Sequence, residues 1–206
     1  MSMKTSGRVL FPVASTAVVL VLFACSNPAG PDLAADIQGS ETNGYSIGDT
    51  GPAGGWIFYI DVENEHDWTY LEAAPTDASE SVAWSNISQY FGLGVLSGNI
   101  GRGASNTALI VAQDGHTESA AQVALDYEAG GFDDWFLPSN MELEAMRDNL
   151  HLAGIGNFAV AQHWSSMEMG TGSPNSGRFV DFGNPDSPWG AVTKSSTRRV
   201  RPVRSF

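Results

Sequence analysis

Residues with the chemistry for catalysis or metal binding are few in this chain and widely spaced. Cys25 is the one thiol, so no disulfide and no cysteine-based metal site can form within the chain. His66, His116, His151 and His163 show neither the HxH nor the HxxxH spacing of metal ligands and are expected to be structural or exposed. Serines are plentiful, but Trp164-Ser165-Ser166 lacks the glycine framing of a nucleophile elbow. Asp133-Asp134 is an adjacent acid pair. Such a pair can ligate metal or do acid–base work, but the simpler expectation is that one of them hydrogen-bonds the turn before Trp135. A strongly raised pKa at either acid, in a pocket, would instead point to an enzyme. Asn184-Pro185-Asp186 and Ser173-Pro174-Asn175 place amide and carboxylate oxygens in loops. Calcium takes about six to eight such oxygens, although Asn-Pro-Asp is also a common turn sequence. The chain is therefore read as non-catalytic and without a resident cofactor or metal, calcium being the one ion these loops would suit.

Cys25 gains its meaning from its place. Lys4 and Arg8 form a short basic region, and Val9 to Phe23 is almost wholly apolar, the length of a signal-peptide core and short for a membrane span. The run ends Leu22-Phe23-Ala24-Cys25, which resembles a bacterial lipobox. Leu22 and Ala24 fit that pattern, and Phe23 is bulkier than the small residue usual there. The resemblance implies cleavage before Cys25, acylation of its thiol and attachment to a membrane through the lipid. Residues 1–24 are then the signal peptide and 25–43 a flexible tether rich in Pro, Gly, Ala, Ser and Asp. By resemblance to sorting rules in some bacteria, Ser26 leans toward the outer membrane or cell surface.

The chain is acidic, with a formal net charge of −13. All 23 acidic residues but only eight of the ten basic ones lie after residue 24. This argues against nucleic acid or an anionic lipid surface as a general partner. The bases are clustered: Lys194, Arg198, Arg199, Arg201 and Arg204 lie close together at the C-terminus. Either they pair with acids across a sheet, or they form a patch for sulfated or acidic sugar.

The elements that would position these residues begin near Tyr45. Gly48 to Gly55 is turn-rich, but no Lys-Ser/Thr follows it and a strand does, so it is not a phosphate-binding loop. Residues 56–60 and 69–73 read as a hairpin, and 75–103 as irregular and glycine-rich. Helices are expected over 105–114, with Leu109, Ile110 and Ala112 inward, and over 118–128, with Ala121, Ala124, Leu125 and Tyr127 available for packing. Ser139 and Glu142 have capping-box spacing, starting a helix that runs to about Asn149 and buries Leu143, Met146 and Leu150. A polar loop at 167–177, a strand at 179–182, a loop at 183–190 and a final strand at 199–204 complete the reading.

Six ordered blocks then resemble one family: GDTGPAGGWIFYID at 48–61, YLEAAPTD at 70–77, GRGASNTALIVA at 101–112, GGFDDWFLPSNMELEAM at 130–146, HWSSME at 163–168 and RRVRPVRSF at 198–206. In order and spacing they resemble the Lcl C-terminal domain family, named after the tail of a bacterial collagen-like adhesin, over residues 44–206. The layout is also similar to C-type-lectin-like and formylglycine-generating-enzyme-like domains. The resemblance implies an α+β, C-type-lectin-like fold with a small twisted antiparallel sheet, two to three helices and long loops. It further implies an exported or surface location; the named member recognises sulfated polysaccharides. The cysteines of formylglycine-generating enzymes are missing here.

The function expected is recognition at the bacterial cell envelope, with a polysaccharide or other glycan as ligand. Docking on another envelope protein and an uncharacterised enzymatic activity are the alternatives. The ligand site is expected in the loops at 166–177 and 183–197, from Asn175, Asn184, Asp186, Trp189 and Lys194, with Arg199 and Arg201 nearby. Trp84, Trp164 and Trp189 are the rings that could stack on sugar. Trp56, Trp135 and Trp164 are expected in the core more often than on ligand, and Trp189, between Pro188 and Gly190, is expected to be exposed.

Overall fold

The computed structural model describes residues 44–92, 94–170 and 172–206. The expected signal peptide, Cys25 and the expected tether lie outside the described residues. The fold is α+β: eight strands in two sheets, with three α-helices, among the described residues.

An unbroken run of β-branched and aromatic residues at 56–60 forms β1 (Trp56–Ile60), which pairs antiparallel with β2 (Tyr70–Ala73). β2 pairs in turn with the C-terminal β8 (Val203–Ser205), closing a three-stranded sheet. The second sheet has the order β3 (Ser79–Ala83), β7 (Thr197–Val200), β4 (Gln162–Glu168), β5 (Ser176–Asp181), β6 (Trp189–Thr193). Its one parallel contact is between β4 and β7, where His163 faces Arg199. The expected single strand at 199–204 is thus two strands in two different sheets. Pro202 stands at the break, where its ring removes a backbone donor and stops one ladder from continuing. Strands β3 and β6 fall where irregular chain was expected. Neither has the clean run of β-branched and aromatic residues that marks a strand: β3 is Ser-Glu-Ser-Val-Ala and β6 is Trp-Gly-Ala-Val-Thr.

The helices are α1 (Gly103–Val111), α2 (Ala120–Leu125) and α3 (Asn140–Asn149). The capping box at α3 is complete. Ser139 Oγ accepts from Glu142 N at 3.3 Å, and Glu142 Oε2 accepts from Ser139 N at 2.7 Å. Leu143, Met146 and Leu150 then pack with Phe58, Leu71, Val180 and Val203 between the two sheets. In α1 the inward face differs from the one expected. Gly103, Asn106, Thr107 and Ile110 are buried, whereas Leu109 is exposed. Two polar side chains decide that rotation. Thr107 Oγ1 donates to Leu137 O and accepts from Leu137 N, and Asn106 Nδ2 donates to Ser97 O and to Ser166 Oγ. Buried hydrogen bonds of this kind outweigh the modest gain from burying one leucine more fully.

The glycine-rich turn at 51–55 wraps a carboxylate of the protein itself. Glu72, fully buried on β2, accepts from Gly55 N at 2.7 Å and from Ala53 N at 3.1 Å. A side chain at Gly55 would place its Cβ 2.0 Å from Ala73 O, so only glycine fits there.

Candidate functional site

The residues expected to form a ligand site are held in three separate places. Asn184 and Asp186 lie in the loop joining β5 and β6, and Trp189 begins β6. Asn184 Oδ1 accepts from Asp186 N and Ser187 N, so the Asn-Pro-Asp sequence closes a turn on itself. Asn175 and Lys194 lie at the opposite end of that hairpin, where Lys194 N donates to Asn175 O. Five residues of strand separate the two ends, roughly 17 Å. Arg199 and Arg201 belong to a third place, around Asp77.

Lys194 and Arg201 are not presented to solvent, contrary to the expectation for ligand contacts. The Lys194 ammonium is buried against the Glu168 carboxylate, donates to Gln89 O at 2.8 Å and lies 4.9 Å from the centre of the Trp84 ring. Trp84 and Trp164 are fully buried, and their indole N–H groups donate to Ser165 O and Val82 O, which removes both as sugar platforms. Trp135 is buried and Trp189 exposed.

The C-terminal bases are largely used inside the protein. Asp77 Oδ1 accepts from Arg201 Nε at 2.6 Å and Oδ2 from Arg199 at 3.0 Å; Arg199 also reaches Glu80. His163 Nε2 stands 3.5 Å from Asp77 Oδ1, too long for a good hydrogen bond but close for a charge contact. Burial pushes the Asp77 carboxyl up. The neighbouring His163 and Arg201 more than reverse this and hold it at about 2. Of the acid pair before Trp135, Asp134 mainly serves a distant base. Its two oxygens grip Arg204 at 2.7 and 2.9 Å, which lowers its pKa. Arg198 lies over the rings of Trp164 and Phe179. The remaining histidines are tied locally: His66 stacks on Trp68, His116 bonds Ser119 and His151 bonds Phe182 O.

A different constellation forms a cleft of about 450 Å³. Tyr90 and Leu96 line it from the irregular segment, Asn140 and Met141 from the first turn of α3, Met167 and Glu168 from the end of β4, and Arg178 from β5. Local chemistry sets each wall. Met141 N donates to Gly98 O, and Glu142 Oε1 accepts from Gly101 N at 2.8 Å and Gly103 N at 3.2 Å, so the helix start fixes the segment at 97–103. Glu168 Oε2 accepts from Phe91 N at 3.0 Å and anchors the other end of that segment. Burial raises the Glu168 carboxyl, against the pull of Lys194. Asn140 Nδ2 donates to Glu144, while its Oδ1 has no partner among the described residues. Arg178 leans on the Trp189 ring, 5.2 Å from its centre. The volume is within the range of small-molecule sites, about 300–1,000 Å³. Apolar walls with a few polar groups suit reversible binding of a polar molecule that has one apolar face.

Of these lining residues, Met167 and Glu168 fall in the segment 166–177 where a site was expected, although neither was singled out, and sequence reasoning missed Tyr90, Leu96, Asn140, Met141 and Arg178. The one available signal was Arg178 itself, a base outside the C-terminal cluster in an acidic chain. No model of a known protein family and no curated protein matches this chain.

Proposed function

We propose that the chain is an envelope lipoprotein carrying a non-catalytic recognition domain that binds carbohydrate in the cleft between α3 and β4. The domain is read as a C-type-lectin-like module of the Lcl C-terminal kind on the strength of its six sequence blocks. The observation that carries the ligand reading is the cleft: Tyr90, Leu96, Met141 and Met167 offer apolar surface beside Asn140 and Arg178. Pyranose rings present C–H faces and hydroxyl edges, and a cleft of this make-up meets both.

Met141 is about half exposed and lines the cleft, so Met141→Glu changes the site without disturbing the core. On a glycan array the full chain retains one or more glycans, and Met141→Glu weakens the retained binding by at least about tenfold with an unchanged melting temperature. No retained glycan, or equal binding by the variant, defeats the reading. A parallel arm with chelator decides whether calcium takes part.

Lipid anchoring has its own test. Among the described residues no helix is long and apolar enough to cross a membrane. Acyl chains on Cys25 would contribute about 0.8 kcal/mol per buried CH₂. Cys25→Ala is expected to move the protein from the membrane fraction to the soluble one; retention in the membrane fraction rules out the lipobox.

A further inference from the structure

Among the described residues Arg178 holds no carboxylate, and neither do Arg102 and Arg198. Lys194, Arg199, Arg201 and Arg204 each hold an acid, as does Arg147. The Arg178 guanidinium forms no ion pair or hydrogen bond with any described residue, and its Nε is sealed from solvent with no partner. Of the three bases that hold no acid, Arg178 alone lines the cleft. Its one close companion is the Trp189 ring, which braces it.

Among the residues lining the cleft none offers Arg178 a free negative charge; the Glu144 carboxylate, which does not line it, is held by Asn140 Nδ2. Glu168 is the other ionisable carboxylate or base lining it, and Lys194 neutralises Glu168. The cleft therefore carries the single unbalanced positive charge of Arg178. With Nε sealed, a ligand meets the guanidinium only at its Nη1/Nη2 end, where two parallel N–H donors match the two oxygens of one carboxylate. The apolar walls strengthen such a pair by displacing water. The net negative charge of the protein opposes a densely charged polyanion, while one carboxylate at contact distance gains more from Arg178 than it loses to the distant field.

We infer that the cleft selects a sugar bearing a carboxylate, a uronic-acid residue, with that carboxylate on Arg178. This inference rests on the carbohydrate reading above. It is tested by titrating the full chain with a panel of uronate oligosaccharides (galacturonate, glucuronate and mannuronate), their methyl esters, and sulfated neutral oligosaccharides of equal length. A uronate is expected to bind at least about tenfold tighter than its ester. Arg178→Gln abolishes that preference, Arg178→Lys restores part of it, and neither changes the melting temperature. Equal binding of acid and ester, a preference that survives Arg178→Gln, or tightest binding of the sulfated sugars overturns the carboxylate assignment and leaves carbohydrate binding standing. Failure of every glycan to bind removes both.

Discussion

Asp77→Ala is expected to lower the stability of the fold by about 3–5 kcal/mol, the cost typical of breaking a buried ion pair by removing one partner. Asp77 precedes β3 and gathers Arg199 of β7, Arg201 at the junction of the two sheets, and His163 of β4. Arg201 is 2% exposed; it also donates to Ala74 O at 2.8 Å and lies 4.3 Å from the centre of the Phe158 ring. Without the acid its charge stays buried with only carbonyls and the Phe158 ring beside it. Urea denaturation at neutral pH measures the loss, and a change below about 1 kcal/mol would show that the pair is dispensable.

The same residue gives a pH signature. Its folded pKa of about 2 lies below the ordinary value of 3.8. A depressed acid contributes stability that is complete above its unfolded pKa and disappears as pH falls through the folded one. The expected contribution is about 2 kcal/mol, lost between roughly pH 5 and pH 2. In Asp77→Asn that part of the slope vanishes. Glu142, raised by burial, acts with the opposite sign, since its protonation at low pH favours the folded state. The difference between wild type and Asp77→Asn is therefore the quantity to follow. Parallel curves for the two proteins from pH 5 to pH 2 would contradict the assignment.

Glu142→Ala carries the second large effect, about 3 kcal/mol or more. One buried carboxylate accepts from three backbone groups: Ser139 N, Gly101 N and Gly103 N. Its removal opens the capping box and leaves those N–H groups without partners in a region largely closed to water. It also frees the wall of the cleft at 97–103 from the start of α3. Two readouts should change together: the denaturation midpoint, and hydrogen exchange at Gly101, Gly103 and Ser139. Glu142→Gln is expected to be milder, because an amide keeps one acceptor and burial already disfavours the charged form. If exchange at those three amides is unaltered in Glu142→Ala, the carboxylate does not hold the segment.

The cleft depends on this arrangement, which explains why it was illegible beforehand. Asn140 and Met141 were readable as the first turn of a helix, but not as a wall. Tyr90 and Leu96 sit in a glycine-rich stretch with no periodicity, and distant partners such as Glu142, Glu168, Asn106 and Lys194 give that stretch a place. The loop residues expected at the site had suitable chemistry. The hairpin of β5 and β6 separates them, because its two ends are the length of a strand apart. Lys194 and Arg201 had the charge of ligand contacts, but the same charge makes them good partners for buried acids.

The sequence by itself determined what rests on short-range chemistry. The capping box links residues three apart, the hairpin of β1 and β2 follows from two β-forming runs around a polar turn, and the exposure of Trp189 follows from its Pro and Gly neighbours. Together these make the α+β class readable. The tertiary structure decided what rests on distant partners. Arg201 meets Asp77 across 124 residues, Lys194 meets Gln89 across 105, and the last strand divides between two sheets at Pro202. No local pattern names such partners. A buried charge accepts whichever opposite charge the packing brings within reach, and that packing exists only once both sheets have formed.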